Sequence, residues 1–396
     1  MLSGNKIRIR NATILLGSTL TVLAAALLSP ALPAMQQAFQ DNPNADFLVR
    51  LVLTIPALTI AIGAPFSGLF LDRWGRKPVL ITALILYGFA GASGFVLQTL
   101  NSIIVGRIIL GLAVAGIMSG FTTLIGDYFS GKRLNQFMGY QAAVMGFGGV
   151  LFLLAGGFLA DISWRYPFLL YLFSFFVLVG VIYAVNEPEV KNKAVEKAGS
   201  ESKVDFPWRM AGLIYLIGFI SMTLFFIVPV QLPFYLTTAS EISNGQVGLA
   251  MSLQALAAAI VSLRFQRIRS RFSSWTITML VFLTLGIGNV LIGLSTSYAL
   301  VILGLLIAGI GLGLLIPNLN VWLVSVVPAP IRGRAVGGLT MAVFLGQFLS
   351  PFATQPVVGL FDLATAFIVT GVVSLLIALV FVVTARSVSV RTAVAG

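Results

Sequence analysis

Apolar residues run along this chain in long blocks, separated by short clusters of Gly, Pro, Asn, Asp, Lys and Arg. A helix needs about 20 residues to cross the hydrocarbon core of a bilayer. Blocks of that length recur twelve times, at 12–34, 48–71, 79–98, 101–124, 136–159, 166–185, 209–234, 246–264, 275–295, 299–325, 336–358 and 363–385. They are continuous, so they predict spanning helices rather than barrel strands, which would alternate over about ten residues. A helix also satisfies its own backbone groups in lipid. Between Asn186 and Pro207 the pattern changes to a polar stretch, Glu-Pro-Glu-Val-Lys-Asn-Lys-Ala-Val-Glu-Lys-Ala-Gly-Ser-Glu-Ser-Lys. The expected organisation is a six-helix bundle over 1–186, a linker over 187–206 and a second six-helix bundle over 207–396. Lys6-Ile7-Arg8-Ile9-Arg10 followed by an apolar run invites comparison with a signal peptide. The run from Ala12 to Leu32 exceeds the roughly 7–15 residues of such a segment, so an uncleaved first helix is expected.

Composition supports the same solvent. Of 396 residues, 58% are hydrophobic and 9% charged, with mean hydropathy +1.03, whereas a soluble domain carries about 25% charged residues. There is no Cys and no His, which excludes disulfides, imidazole or thiolate metal sites and Cys/His nucleophile pairs. No cofactor is expected, and no nucleophile–base constellation suggests an enzyme. The net charge of +12 would suggest nucleic acid in a soluble domain. Placing the N-terminus in the cytoplasm puts 21 of the 24 bases on that side of the predicted helices. The positive-inside rule then assigns the charge to topology, in a multi-pass inner-membrane protein with both termini cytoplasmic. Nucleic acid is not an expected partner; the lipid bilayer is.

The strongest local motif is Gly68-Leu69-Phe70-Leu71-Asp72-Arg73-Trp74-Gly75-Arg76-Lys77-Pro78, between predicted helices two and three. It resembles the loop signature of the major facilitator superfamily. That resemblance implies an all-α membrane protein, with twelve transmembrane helices in two pseudo-symmetric six-helix bundles that rock about a midplane site. Gly68 is expected to allow close helix approach, Gly75 to make the tight turn, and Asp72 to meet a helix N-terminus, where a carboxylate is favoured. In the family that partner is helix eleven, which here begins near Arg332 and Arg334. Asp72, Arg73, Gly75, Arg76, Lys77 and Asp127 are expected to form a cytoplasmic latch in the outward-open state. An ordinary basic loop is the alternative.

Arg107 to Gly116 resembles the family's R-x-x-x-G-x-x-x-G pattern on helix four, with Leu110 at a position where Gln is common. A charge inside the membrane is a functional candidate by default; snorkelling of Arg107 to the headgroups is the bland reading. Gly139, Gly148, Gly156 and Gly157 follow the spacing of an exporter motif on helix five, but its central Gly-Pro is replaced by Phe152-Leu153. Trp164-Arg165-Tyr166-Pro167-Phe168 and Glu187-Pro188 resemble drug-exporter members.

None of the twelve acids is expected at mid-membrane: five fall in outer loops, Asp46 and Asp161 among them; two, Asp72 and Asp127, at cytoplasmic helix ends; and five in the linker. A bulky cation therefore lacks a buried counter-charge, and a neutral or weakly anionic amphipathic solute fits better, with Arg107 the buried charge. Proton coupling, if it operates, needs a peripheral acid, Asp127 with Arg76 or Arg133 inside, or Asp46 with Arg50 outside. From the helices that line the family's cavity, the pocket candidates are Thr21, Met118, Gln141, Met145, Phe225, Phe226, Gln254, Asn318, Trp322 and Gln347. The expected function is proton-coupled efflux resembling the drug-exporter branch, by a monomer, as is the family default. A facilitator or importer of a sugar or organic acid is the alternative, and a non-transporting membrane sensor the alternative from another class.

Overall fold

The computed structural model describes residues 4–187, 206–240, 242–328 and 331–394. Twelve helices in it are long and apolar enough to cross a membrane: α1 Asn5–Ala38, α2 Ala45–Trp74, α3 Arg76–Phe95, α4 Leu100–Tyr128, α5 Gly131–Ile162, α6 Tyr166–Ala184, α7 Trp208–Thr237, α8 Asn244–Leu263, α9 Ser274–Gly293, α10 Tyr298–Val326, α11 Arg332–Leu360 and α12 Leu363–Thr384. The expected count holds, but several helices run past the expected ends. Asp72 and Arg73 lie in the last turn of α2 and Asp127 in that of α4. Polar residues can prolong a helix once it leaves hydrocarbon, where water satisfies its open backbone groups. Hydroxyl caps start others: Thr99 accepts from the Ser102 N–H at α4, and Ser243 forms a capping box with Gln246 at α8. Most of the linker, 188–205, lies outside the described residues.

Prolines shape the interior. A proline within a helix leaves the carbonyl four residues earlier without its N–H, and in lipid that carbonyl needs another donor. Pro56 in α2 frees Val52 in this way, and the Arg107 Nε donates to it at 2.9 Å. Pro233 in α7 frees Pro229, and the Ser29 hydroxyl donates to that carbonyl. Ser29 itself sits where α1 breaks into a 3-10 turn, Ser29–Ala31.

Without water to expel between lipid-bathed helices, association depends on close packing of small residues. A Cβ on Gly288 of α9 would lie 2.5 Å from the Gly304 carbonyl of α10. One core, with Leu20, Tyr87, Phe121 and Phe168, fills the first bundle; a second, with Ile214, Phe282 and Leu319, fills the other. The bundles meet along α2 with α11 and α5 with α8. The meeting is lopsided. At the end opposite the basic motif, called here the far end, Phe226, Val230 and Phe234 of α7 join the first bundle's core. A Cβ on Gly157 of α5 would lie 3.0 Å from the Gly248 Cα of α8. Toward the basic end, Gly68, Gly139, Gly333 and Gly337 on those same four-helix seams have nothing within 4 Å of the Cβ position. The bundles part there into a cleft.

Candidate functional site

At the basic end the motif folds as a sharp corner. Gly75 has φ +90°, a conformation that side chains resist, and it separates α2 from α3. The carboxylate at the head of α3 is Glu187, which accepts from the backbone N–H groups of Arg76 at 2.6 Å and Lys77 at 2.8 Å. Arg76 is 9% exposed and donates through Nε to Asp127 at 3.1 Å and through a terminal nitrogen to the Leu71 carbonyl. The Lys77 ammonium donates to the Ile182 carbonyl. All these ties stay within the first bundle. Asp72 stands apart, its side chain 79% exposed and 3.9 Å from Arg76, and Arg73 is exposed beside it. The expected meeting of Asp72 with the first turn of α11 is not made, because the cleft is open at this end. Arg332 instead donates to the Val327 carbonyl, and Arg334 is exposed. Gly68, expected to permit close approach, faces open space for the same reason.

Arg107 does not snorkel. It is 1% exposed and donates to the carbonyls of Val52 and Ala24 and to the Tyr171 hydroxyl at 2.6 Å. Two of these acceptors are backbone carbonyls where α2 and α1 are interrupted, so the guanidinium staples α1, α2, α4 and α6 together without a carboxylate.

The pocket candidates divide. Gln141 of α5 donates to Ser18 of α1 at 2.8 Å, and half-buried Thr21 lies one turn along α1. Met145 is half-buried beside Gly146, the site of mid-membrane contact with Ala259 of α8. Met118 packs on the first core and Phe225 on both cores. The Gln347 amide lies 3.8 Å from the Met222 sulfur of α7. Gln254 is 4% exposed, its amide nitrogen without a partner. Three candidates are placed elsewhere. Asn318 points into the second bundle, donating to the Ser274 carbonyl and the Thr278 hydroxyl, both at 3.0 Å. Trp322 packs edge-on to Trp275 of α9 in the same core, and Phe226 is buried in the far-end seam. A helical repeat turns a side chain by about 100° per residue. The half-buried amide of α10 is Asn320, two positions on.

Sequence reasoning paired Asp46 with Arg50 but placed the acid in a loop and missed what surrounds the pair. Asp46 occupies the first turn of α2, and Arg50, one turn on, is 2% exposed. Arg50 binds the Asp46 carboxylate and carbonyl, donates through Nε to Gln231 of α7 at 2.9 Å and lies 4.1 Å over the Phe234 ring. Gln231 donates on to Gln355 of α11 at 3.1 Å, and Gln355 donates back to Asp46. On the other seam, Asp161 of α5 accepts from the Gly245 N–H in the first turn of α8 at 3.0 Å. Asp46 opens onto a far-end vestibule of about 520 Å³ lined by Gln36, Gln37, Gln40 and Asn42. The pair was legible as an i, i+4 spacing; its cross-bundle partners, some 180 and 309 residues distant, carry no local signal.

Comparison with known proteins accords with this architecture. The profile of the Major Facilitator Superfamily matches residues 14–230 and 214–395. The bacillibactin exporter of Bacillus subtilis (strain 168) is 24% identical over 83% of this chain and 85% of its own. Multidrug resistance protein 1 of the same organism is 27% identical over half of each chain. A crystal structure of a D-xylose-proton symporter superposes with a TM-score of 0.77 over 95% of this chain and 97% of that one, at 18% identity, which shows the shared fold. With a family profile covering both bundles, the chain belongs to the Major Facilitator Superfamily and is a transporter of its drug-exporter branch.

Proposed function

We propose that this protein exports small, neutral amphipathic solutes by alternating access, with the basic end in the cytoplasm and the far end outside. The observation that carries this reading is the lopsided seam. Hydrogen bonds that join the bundles among the described residues lie from the far end to mid-membrane, while the interface glycines of the basic end face open space. Such a molecule is open to the side from which an exporter loads. Exporters among the relatives support the direction. Arg107, turned inside the first bundle, is not offered to a solute, which favours a neutral cargo over a weakly anionic one. The sequence, with 21 of its 24 bases on one side of the predicted helices, supports the orientation.

Flux from proteoliposomes with imposed pH gradients tests the reading. Nile red and chloramphenicol, both neutral, should be moved outward faster than from protein-free vesicles, and methyl viologen, a permanent dication, should not. Preference for the dication, or net uptake of a sugar such as D-xylose supplied in the same assay, would overturn it.

A further inference from the structure

A groove runs along the outer side of the first bundle, and its chemistry changes along its length. α2 and α3 diverge from the Gly75 corner, and both rest on α4. The Cβ position of Gly63 in α2 lies 3.2 Å from Ala115 and Leu112, and that of Gly116 in α4 lies 3.2 Å from Ala83 of α3. Small residues bring helices close, and here they leave a trough of about 500 Å³ between the two contacts, floored by Ala113 and Gly116. Ile62, Phe66, Phe70 and Trp74, spaced four apart, form its α2 wall, and Phe70 stacks on Trp74 at 4.8 Å. Thr82 and Leu86 stand on the α3 wall. At the basic-end mouth, Trp74, Pro78 and Thr82 are shared with a second hollow of about 480 Å³, to which Lys77 and Glu187 contribute.

We propose that this groove binds one anionic phospholipid of the basic-end leaflet, with an acyl chain between α2 and α3 and the phosphate at Arg73 and Lys77. Basic pockets between spanning helices hold anionic head groups in this way, and a tryptophan at the mouth suits the boundary between hydrocarbon and water. The charges select the head. Arg73 lies about two turns beyond Phe66 on the same face of α2; it is exposed and has no hydrogen-bond or ion-pair partner among the described residues. The Lys77 ammonium spends one hydrogen on the Ile182 carbonyl and keeps two. Glu187 is the opposing charge, but both its oxygens already accept from the N–H groups of Arg76 and Lys77. Asp72 is turned about 100° from Arg73 around α2 and faces Arg76. Free donors beside an occupied carboxylate favour a phosphate that carries no ammonium of its own.

Thr82 supports the same placement from the α3 side. Its hydroxyl is exposed in the groove without a partner among the described residues, and a polar group in hydrocarbon calls for one. It lies about 7 Å along α3 from Lys77, where an ester carbonyl of a lipid with its phosphate at Lys77 can accept from it. The site requires only that the chain lies in a membrane, so it neither rests on the export reading nor falls with it.

Trp74 is a reporter inside the groove. In full-length protein reconstituted in phosphatidylcholine vesicles, the fluorescence of the parent minus that of Trp74→Phe isolates it from the other tryptophans. Phosphatidylglycerol with brominated acyl chains, a short-range quencher, should halve this signal at about one-fifth the mole fraction needed of brominated phosphatidylethanolamine. Arg73→Gln, made with and without Trp74→Phe, should abolish that preference, whereas Arg271→Gln, at an exposed base of the second bundle, should keep it. Thr82→Phe fills the trough and should bring phosphatidylglycerol down to the level of phosphatidylethanolamine. Equal quenching by the two lipids in the parent would mean annular lipid only and would overturn the proposal, as would an unchanged preference in Arg73→Gln or Thr82→Phe. Recovery of fluorescence on adding Nile red would give the groove to a solute, and recovery on adding glycerol 3-phosphate would make it a head-group site without a chain; either result also overturns it.

Discussion

Two aspartate–arginine pairs, each spaced four residues apart, stand at the two ends of α2, the first within the helix and the second reaching across the Gly75 corner to the start of α3, and they are used differently. Asp46–Arg50 at the far end is tied across the bundles to α7 and α11. Asp72–Arg76 at the basic end is loose at 3.9 Å, and Arg76 turns inward to Asp127 of its own bundle. The same chemical unit therefore closes one end and leaves the other free. In a transporter that opens one end at a time, the informative quantity is which pair reaches across, not whether each pair exists.

Breaking the far pair should have the largest effect. Arg50→Ala removes the buried cation that joins Asp46, Gln231 and Phe234, and with it the centre of the clasp between the bundles. Nile red efflux should fall at least about tenfold, with far-side maleimide labelling of a single thiol introduced by Val230→Cys, at a buried position of the far-end seam, raised above that in the parent. Arg50→Lys should recover only part, since an ammonium cannot span two acceptors as a guanidinium fork does. Parent-like flux and a closed seam in Arg50→Ala would erase the contrast between the ends.

A smaller effect is expected from steric wedges in the α5–α8 seam. Gly157→Leu puts a side chain where the Asn244 carbonyl lies 2.7 Å from the Cβ position, whereas Gly139 has open space. Each should slow flux about fivefold, but with opposite bias, because helix seams built on glycine tolerate little bulk. Gly157→Leu should hold the far end open, and Gly139→Leu should hinder closure of the basic end. Paired labelling at far-end and basic-end thiols reads the direction. The same bias from both would mean the seam does not rock.

What could be read from the chain follows from the range of each interaction. Twelve helices were legible because hydropathy is local and bilayer thickness sets the length. Gly75 was legible because a corner between two helices needs a residue free of Cβ, and the Asp127–Arg76 tie was among the pairings anticipated. Asn318 and Trp322 were misplaced because both faces of a buried helix are apolar, so hydropathy does not say which face meets the cleft; packing against α9 decides. The cross-bundle partners of Arg50 and the partners of Arg107 were not legible, since the former are side chains far along the chain and the latter include two backbone carbonyls exposed by helix breaks.

The basic-end pair gives the next prediction in size. Asp127→Asn leaves Arg76 without its nearest carboxylate, and efflux driven by an imposed pH gradient should fall about threefold. Full retention of pH-driven flux would exclude Asp127 from an obligatory proton role. Asp72→Asn, by contrast, should leave this basic-end-open state intact and shift the population toward it, read as higher labelling of a thiol at Gly126, which has open space around it.

The smallest effect sharpens what the motif's glycine is for. Glu187 lies 2.8 Å from where a Cβ on Gly75 would stand, and its two oxygens accept the first two N–H groups of α3. Those N–H groups have no partner within their own helix, and a carboxylate there gains from the helix dipole as well. Glu187→Gln keeps one acceptor and loses the charge, which should cost about 1 kcal/mol and lower the melting temperature in detergent by about 2 °C. Gly75→Ala should lower it further, because it strains the +90° backbone and also displaces the Glu187 carboxylate. In Gly75→Ala/Glu187→Gln the two losses should add to less than their sum, since the alanine has already moved the carboxylate that the second change removes. Strict additivity would mean that Gly75 serves the turn alone, and that the cap on α3 is independent of it.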